Sequence, residues 1–151
     1  MALVESRTTI HAPIDLVYRI SQDYSVRYEW DPFPENIAVV SGPQQTLAVG
    51  TQVHIKSKLG MHMVVEFVQV QAPCVTAVKM VQGPWFLAKF AGSWIFKATV
   101  PNETTAIFKY SIVAKPLLLR YLIEPLAYLY FSRVVKKRLA GLKAYCEQQA
   151  L

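Results

Sequence analysis

The chain has 151 residues, of which 53% are hydrophobic and 17% charged, with a net charge of +6 and a mean hydropathy of +0.25. One domain with a substantial core is expected from that length, without help from metals or disulfides, and the low charge content excludes long disordered tracts. Cys74 and Cys146 form no CxxC motif or metal spacing, and no basic segment followed by an apolar run stands at Met1–Arg7, so a reduced, cytoplasmic protein with no cofactor is expected.

Leu3 to His11 reads as a first strand, and Ala12-Pro13 opens a short helix over Ile14 to Ser21. Asp23 is placed to cap a second short helix through Tyr24 to Glu29. Asp31-Pro32-Phe33-Pro34 then blocks helix and sheet alike. Six strands are predicted next: Asn36–Val40, Thr51–Ser57, Met61–Val70, Val75–Val81, Phe86–Lys97 and Thr105–Lys115. Between them lie the turn signals Ser41-Gly42-Pro43, Leu59-Gly60, Ala72-Pro73, Gln82-Gly83-Pro84 and Pro101-Asn102. Such short connections leave no room for parallel crossovers, so an antiparallel meander is predicted. Alternation puts Phe86, Ala88, Phe90, Gly92, Trp94 and Phe96 on one face, and Ala106, Phe108, Tyr110, Ile112 and Ala114 on one face of the next strand. Two neighbouring strands thus turn aromatic stripes the same way, and Gly92 suits a bend or a close approach.

Pro116 opens a helical stretch to about Gln148, in which Leu122, Leu126, Leu129, Val135, Leu139, Leu142 and Cys146 recur at spacings of three and four with one longer step. A long amphipathic helix after a run of strands lays its apolar face on the sheet. If the sheet curves around it, an apolar space remains between them. Arg120, Glu124 and Arg133 interrupt Leu117–Val135, so no spanning helix is expected. The same region carries Lys136, Lys137, Arg138, Lys143 and Glu147, and residues 116–151 supply +4 of the net charge. No nucleic-acid motif accompanies these bases, and a solvated helix face accounts for them. An anionic membrane surface met through Lys136, Lys137 and Arg138 is the alternative partner.

This order of elements resembles the START-like (SRPBCC) superfamily, which includes the birch-pollen allergens and polyketide cyclases. The residues that carry the resemblance are Ile10-His11-Ala12-Pro13-Ile14-Asp15-Leu16-Val17-Tyr18, Asp23, Trp30-Asp31-Pro32, Val49-Gly50-Thr51, Gly92-Ser93-Trp94-Ile95-Phe96 and Arg138 to Glu147. It spans nearly the whole chain and implies an α+β helix-grip fold over residues 1–151. In that fold a curved antiparallel sheet of about seven strands wraps a long C-terminal helix, with two short helices after the first strand. It also implies a deep cavity for lipids, sterols, polyketides, quinones or hormones, and in some members an enzyme. Fold alone does not settle which.

Catalytic motifs are few. His11, His54 and His62 show no metal spacing, and neither a Gly-x-Ser-x-Gly elbow nor a phosphate-cradling glycine loop is present. Glu66 sits in the apolar run Met63–Val68. It is either solvated opposite Val65 and Phe67, or it shares an inward face with Val64 and Val68, where burial would raise its pKa and suit it to acid–base work. Tyr110 is the best polar group on the aromatic stripe, as a ligand partner or a core tyrosine. The expected lining is Phe90, Trp94, Phe96, Phe108, Tyr110 and Ile112 from the sheet, with Leu122, Leu126 and Leu129 from the helix and Trp30 and Trp85 at the rim. A binder of a small apolar molecule is the leading expectation. The alternatives are a cyclase or dehydratase using Glu66 or Tyr110, and a membrane-docking lipid or quinone carrier.

Overall fold

The computed structural model describes residues 1–32, 34–41, 48–57 and 60–150, with backbone alone for 34–37 and 39–41. Phe33 of the proline-rich connector, Gly42 and Pro43 of one turn and Leu59 of another lie outside the described residues. The elements are β1 (Ala2–Ile10), α1 (Ile14–Gln22), α2 (Arg27–Trp30), β2 (Pro34–Ser41), β3 (Gln52–Ser57), β4 (His62–Gln71), β5 (Val75–Gln82), β6 (Leu87–Val100), β7 (Glu103–Ala114) and α3 (Leu117–Gln149). The strands form one seven-stranded antiparallel sheet in the order β1-β7-β6-β5-β4-β3-β2. β2 to β7 form the expected meander, and β1 closes against β7 from Ala2 opposite Ile112 to Ile10 opposite Thr104.

The second helix is shorter and later than predicted. Asp23 accepts hydrogen bonds from the Ser25 amide and hydroxyl, so it organises a turn, and α2 begins only at Arg27. A register shift between Leu87 and Lys89 changes the phase of β6. Leu87 is therefore buried and Ala88 exposed, the reverse of strict alternation from Phe86. Beyond the shift the predicted faces hold. Phe90, Gly92, Trp94 and Phe96 point inward and pair with Ile112, Tyr110, Phe108 and Ala106. A small residue meets a large one in two of these pairs. The Tyr110 ring lies over Gly92 so closely that a Cβ there would sit 3.2 Å from its Cε1.

α3 packs across β1 and β7 and against α1 and α2. Its buried stripe is Phe131, Val135, Arg138, Leu139, Leu142 and Cys146. Gly141 lies close against the end of α2, where a Cβ would collide with the Trp30 carbonyl oxygen. The end of α2 is thereby held close against α3. Among the described residues no helix is long and apolar enough to cross a membrane.

Candidate ligand-binding cleft

An α-helix is about 10–12 Å across and paired strands lie about 4.8 Å apart, so one helix covers roughly two strands. α3 takes β1 and β7. α3 meets β6 through Phe131 against Phe90, with ring centres 5.4 Å apart, and through Arg138 against Trp94; most of the inner face of β3 to β6 lies beyond it, and a narrow cleft with a cavity volume of about 80 Å³ opens there. The apolar walls come from Ile55, Met61, Met63, Val65, Phe67 and Val78 on one side and Phe90, Trp94 and Phe108 on the other. Their rings interlock: Trp94 meets Phe108 edge-on at 4.4 Å, and Phe90 lies 4.9 Å from Tyr110.

One end of the cleft is polar. Arg27, Tyr24, Tyr110 and Arg138 line it. Behind them the buried Asp31 carboxylate accepts from Arg138 Nε at 3.1 Å and Nη2 at 2.9 Å, and from Arg27 Nη1 at 3.2 Å. Arg138 Nη1 donates to the Tyr110 hydroxyl, and the guanidinium stacks 4.7 Å from the centre of the Phe108 ring. Burial alone would favour the neutral form of Arg138, but Asp31 and the Tyr110 hydroxyl outweigh it and hold its pKa above the usual value. Burial pushes the Tyr110 and Tyr24 phenols up. Both therefore remain protonated at neutral pH and offer O–H donors.

Four of the expected lining residues come together here: Phe90, Trp94, Phe108 and Tyr110. Phe96 and Ile112 do not line the cleft; they are buried core, with Phe96 between Tyr18 and Trp94. Leu122, Leu126 and Leu129 are 64%, 61% and 56% exposed and face away from it. Leu129 and Val135 are six residues apart, a rotation of about 240° on a helix, so the first leucine run does not continue the buried stripe. Arg138 is the α3 residue that reaches the cleft. It is 6% exposed, which removes it from any basic surface. The signal was present in its spacing, three after Val135 and four before Leu142, which are both buried.

Trp30 is not at the rim. It is buried behind Trp94, edge-on at 5.9 Å. Trp85 is 70% exposed on its turn, stacked edge-on to Phe86, and does not line the cleft. Glu66 lies on the opposite face of β4 from the buried Met63, Val65 and Phe67, and accepts from Gln52 Nε2 at 3.3 Å. Those three inward residues fix the phase of the strand and exclude Glu66 from the cleft. His54 and His62 stack on that outer face with ring centres 5.3 Å apart. Among the described residues no group of three or more His, Cys, Asp or Glu side chains could hold a metal ion.

The model for the family described as "Polyketide cyclase / dehydrase and lipid transport" matches residues 1–147. No curated protein sequence matches the chain. Among solved structures, the Zhui aromatase/cyclase from Streptomyces sp. R1128 superposes with a TM-score of 0.80 at 17% identity, covering 99% of this chain and 95% of that one. A START superfamily protein from Mycobacterium smegmatis gives 0.79 at 12% identity, covering 99% of both chains. A protein from Thermus thermophilus gives 0.79 at 16% identity, again covering 99% of both. At these identities the superpositions establish the helix-grip fold. With the family model spanning nearly its whole length, the chain belongs to the polyketide cyclase/dehydrase and lipid transport family.

Proposed function

We propose that the cleft binds a small, predominantly apolar molecule of the lipid, polyketide or quinone type, and that holding this molecule is its principal task. The observation that carries the reading is the inner face of β3 to β6, most of which α3 leaves uncovered and which is walled by aromatic, methionine and aliphatic side chains. Apolar ligand area moved there from water contributes about 25 cal/mol per Å². A preformed cleft also limits the ordering cost of binding.

Acid–base chemistry has less support. Glu66 faces away, and among the described lining residues there is no Asp, Glu or His. Tyr110, with its pKa raised by burial and its oxygen already accepting from Arg138, is a donor at neutral pH rather than a base. The test is native mass spectrometry of the purified protein, joined to a tryptophan-fluorescence titration with decanoate in a Trp30→Phe/Trp85→Phe background, where Trp94 alone reports. A co-purified small molecule, or saturable quenching, is expected. Absence of both would overturn the reading.

A second reading, a carrier that docks on anionic bilayers, is favoured by the first half of α3. Leu118, Leu122, Leu126 and Leu129 are exposed along one side of the helix, and Arg133, Lys136 and Lys137 continue that side. Tyr121, Leu3 and Met1 widen the apolar patch next to it. Apolar insertion next to a basic cluster suits a negatively charged lipid surface, where each cation adds about 1 kcal/mol. Sedimentation with phosphatidylserine-containing vesicles is expected to weaken with added salt and with Leu118→Ser/Leu122→Ser. Failure to bind such vesicles would remove this reading while leaving the cleft untouched.

A further inference from the structure

Resting on the cleft as the binding site, we infer that its ligand carries one anionic oxygen group, a carboxylate on an apolar body, and that Arg27 receives it. Three observations converge. The first is charge at Arg27. Its ion pair is with Asp31, a carboxylate that also contacts Arg138 at 2.9 Å. A buried guanidinium that lines the cleft favours an anionic oxygen brought against it.

The second is hydrogen bonding at Arg27. A guanidinium carries five N–H donors. Arg27 uses Nη1 on Asp31 and Nη2 on the Ser21 carbonyl oxygen at 2.6 Å, while its Nε is buried with no partner. Arg27 is itself only 6% exposed and lines the cleft. Its ring neighbours Tyr24 and Trp30, at 5.0 and 5.2 Å, hold the guanidinium in place but accept none of its in-plane hydrogens.

The third is the chemistry of the neighbours. Tyr110 accepts from Arg138, so its own O–H is left to donate, and Tyr24 adds a second phenol. Gln22, Ser57 and Thr76 also line the cleft and can accept as well as donate, but Arg27, Tyr24 and Tyr110 present donors, and no carboxylate is among the described lining residues. Such an end selects an acceptor, and a carboxylate meets a guanidinium in paired, charge-assisted bonds. Burial holds both phenols in the donor form, which supports the same assignment.

The test compares decanoate with methyl decanoate, two probes with the same chain and different heads, by tryptophan-fluorescence titration of the full chain at neutral pH. Decanoate is expected to bind at least tenfold more tightly than the ester. In Arg27→Met that ratio should fall to near one, and in Arg27→Lys, which keeps the charge, much of it should survive. Equal affinity for the two probes in the unaltered protein would overturn the assignment of an anionic head and leave the apolar cleft standing. No binding of either would overturn both. A tenfold preference that survives intact in a folded Arg27→Met would overturn the assignment to Arg27, while the ratio in the unaltered protein decides the anionic head without any variant.

Discussion

Replacing Asp31 with asparagine tests the polar cluster with little change of shape. The Asp31 side chain is fully buried, and the guanidiniums of Arg27 and Arg138 contact it at 3.2 and 2.9 Å with their own side chains 8% and 7% exposed. Asn keeps the volume but removes the charge, leaving two buried cations facing an amide. Breaking a buried ion pair from one side costs about 3–5 kcal/mol. For a chain of this length each kcal/mol moves the midpoint by about 2–4 °C, so Tm should fall by roughly 6–20 °C. Urea unfolding at 25 °C and thermal unfolding followed by circular dichroism both read this change. Adding Arg138→Met to Asp31→Asn should recover part of the loss, because one unopposed cation is then gone. A loss below about 1 kcal/mol, the range of solvated surface pairs, would refute the reasoning.

Gly141→Ala should lower stability by at least about 1 kcal/mol in urea titrations. The added Cβ would collide with the Trp30 carbonyl oxygen, and overpacking of this kind outweighs the helix-propensity gain of alanine. In a thiol-reagent titration at pH 8, the exposed Cys74 should react at once and the buried Cys146 only on unfolding, since burial pushes the Cys146 pKa up to about 12. The Glu147 carboxyl lies below its usual value because it accepts from the His11 amide and the Lys143 ammonium. A depressed carboxyl stabilises the fold fully above its ordinary pKa of 4.5, and that contribution disappears as pH falls through the lower folded value. Glu147→Gln should therefore be less stable than the parent near pH 6, with the gap closing in acid, as read by Tm from pH 3 to 7.

Most of the fold was legible because turns and alternation are local. Ala72-Pro73 and Pro101-Asn102 punctuate strands that the structure ends within a few residues of the expected bounds. The Phe90–Trp94 and Phe108–Tyr110 stripes were legible for the same reason, since a period of two assigns a face wherever no bulge intervenes. The Leu87 phase change needed the register shift, which has no signature in residue type. The helix side of the site was misread because Leu122, Leu126 and Leu129 have helical spacing without having the phase of the buried stripe. Spacing alone does not say which of two apolar sides meets the sheet. The polar end joins Asp31 to Arg138 across 107 residues and Arg138 to Tyr110 across 28. Such a cluster is a product of tertiary packing, and the charged residue inside the Val135–Leu142 stripe was its one visible trace.

A methyl-resolved NMR titration with decanoate locates the bound molecule directly. If the cleft over β3 to β6 is the site, the methyls of Ile55, Met61, Met63, Val65 and Val78 shift together and saturate at one Kd, while those of Leu122, Leu126 and Leu129 stay in place. Shifts confined to the three leucines, or a titration that leaves the cleft methyls unmoved, would contradict it.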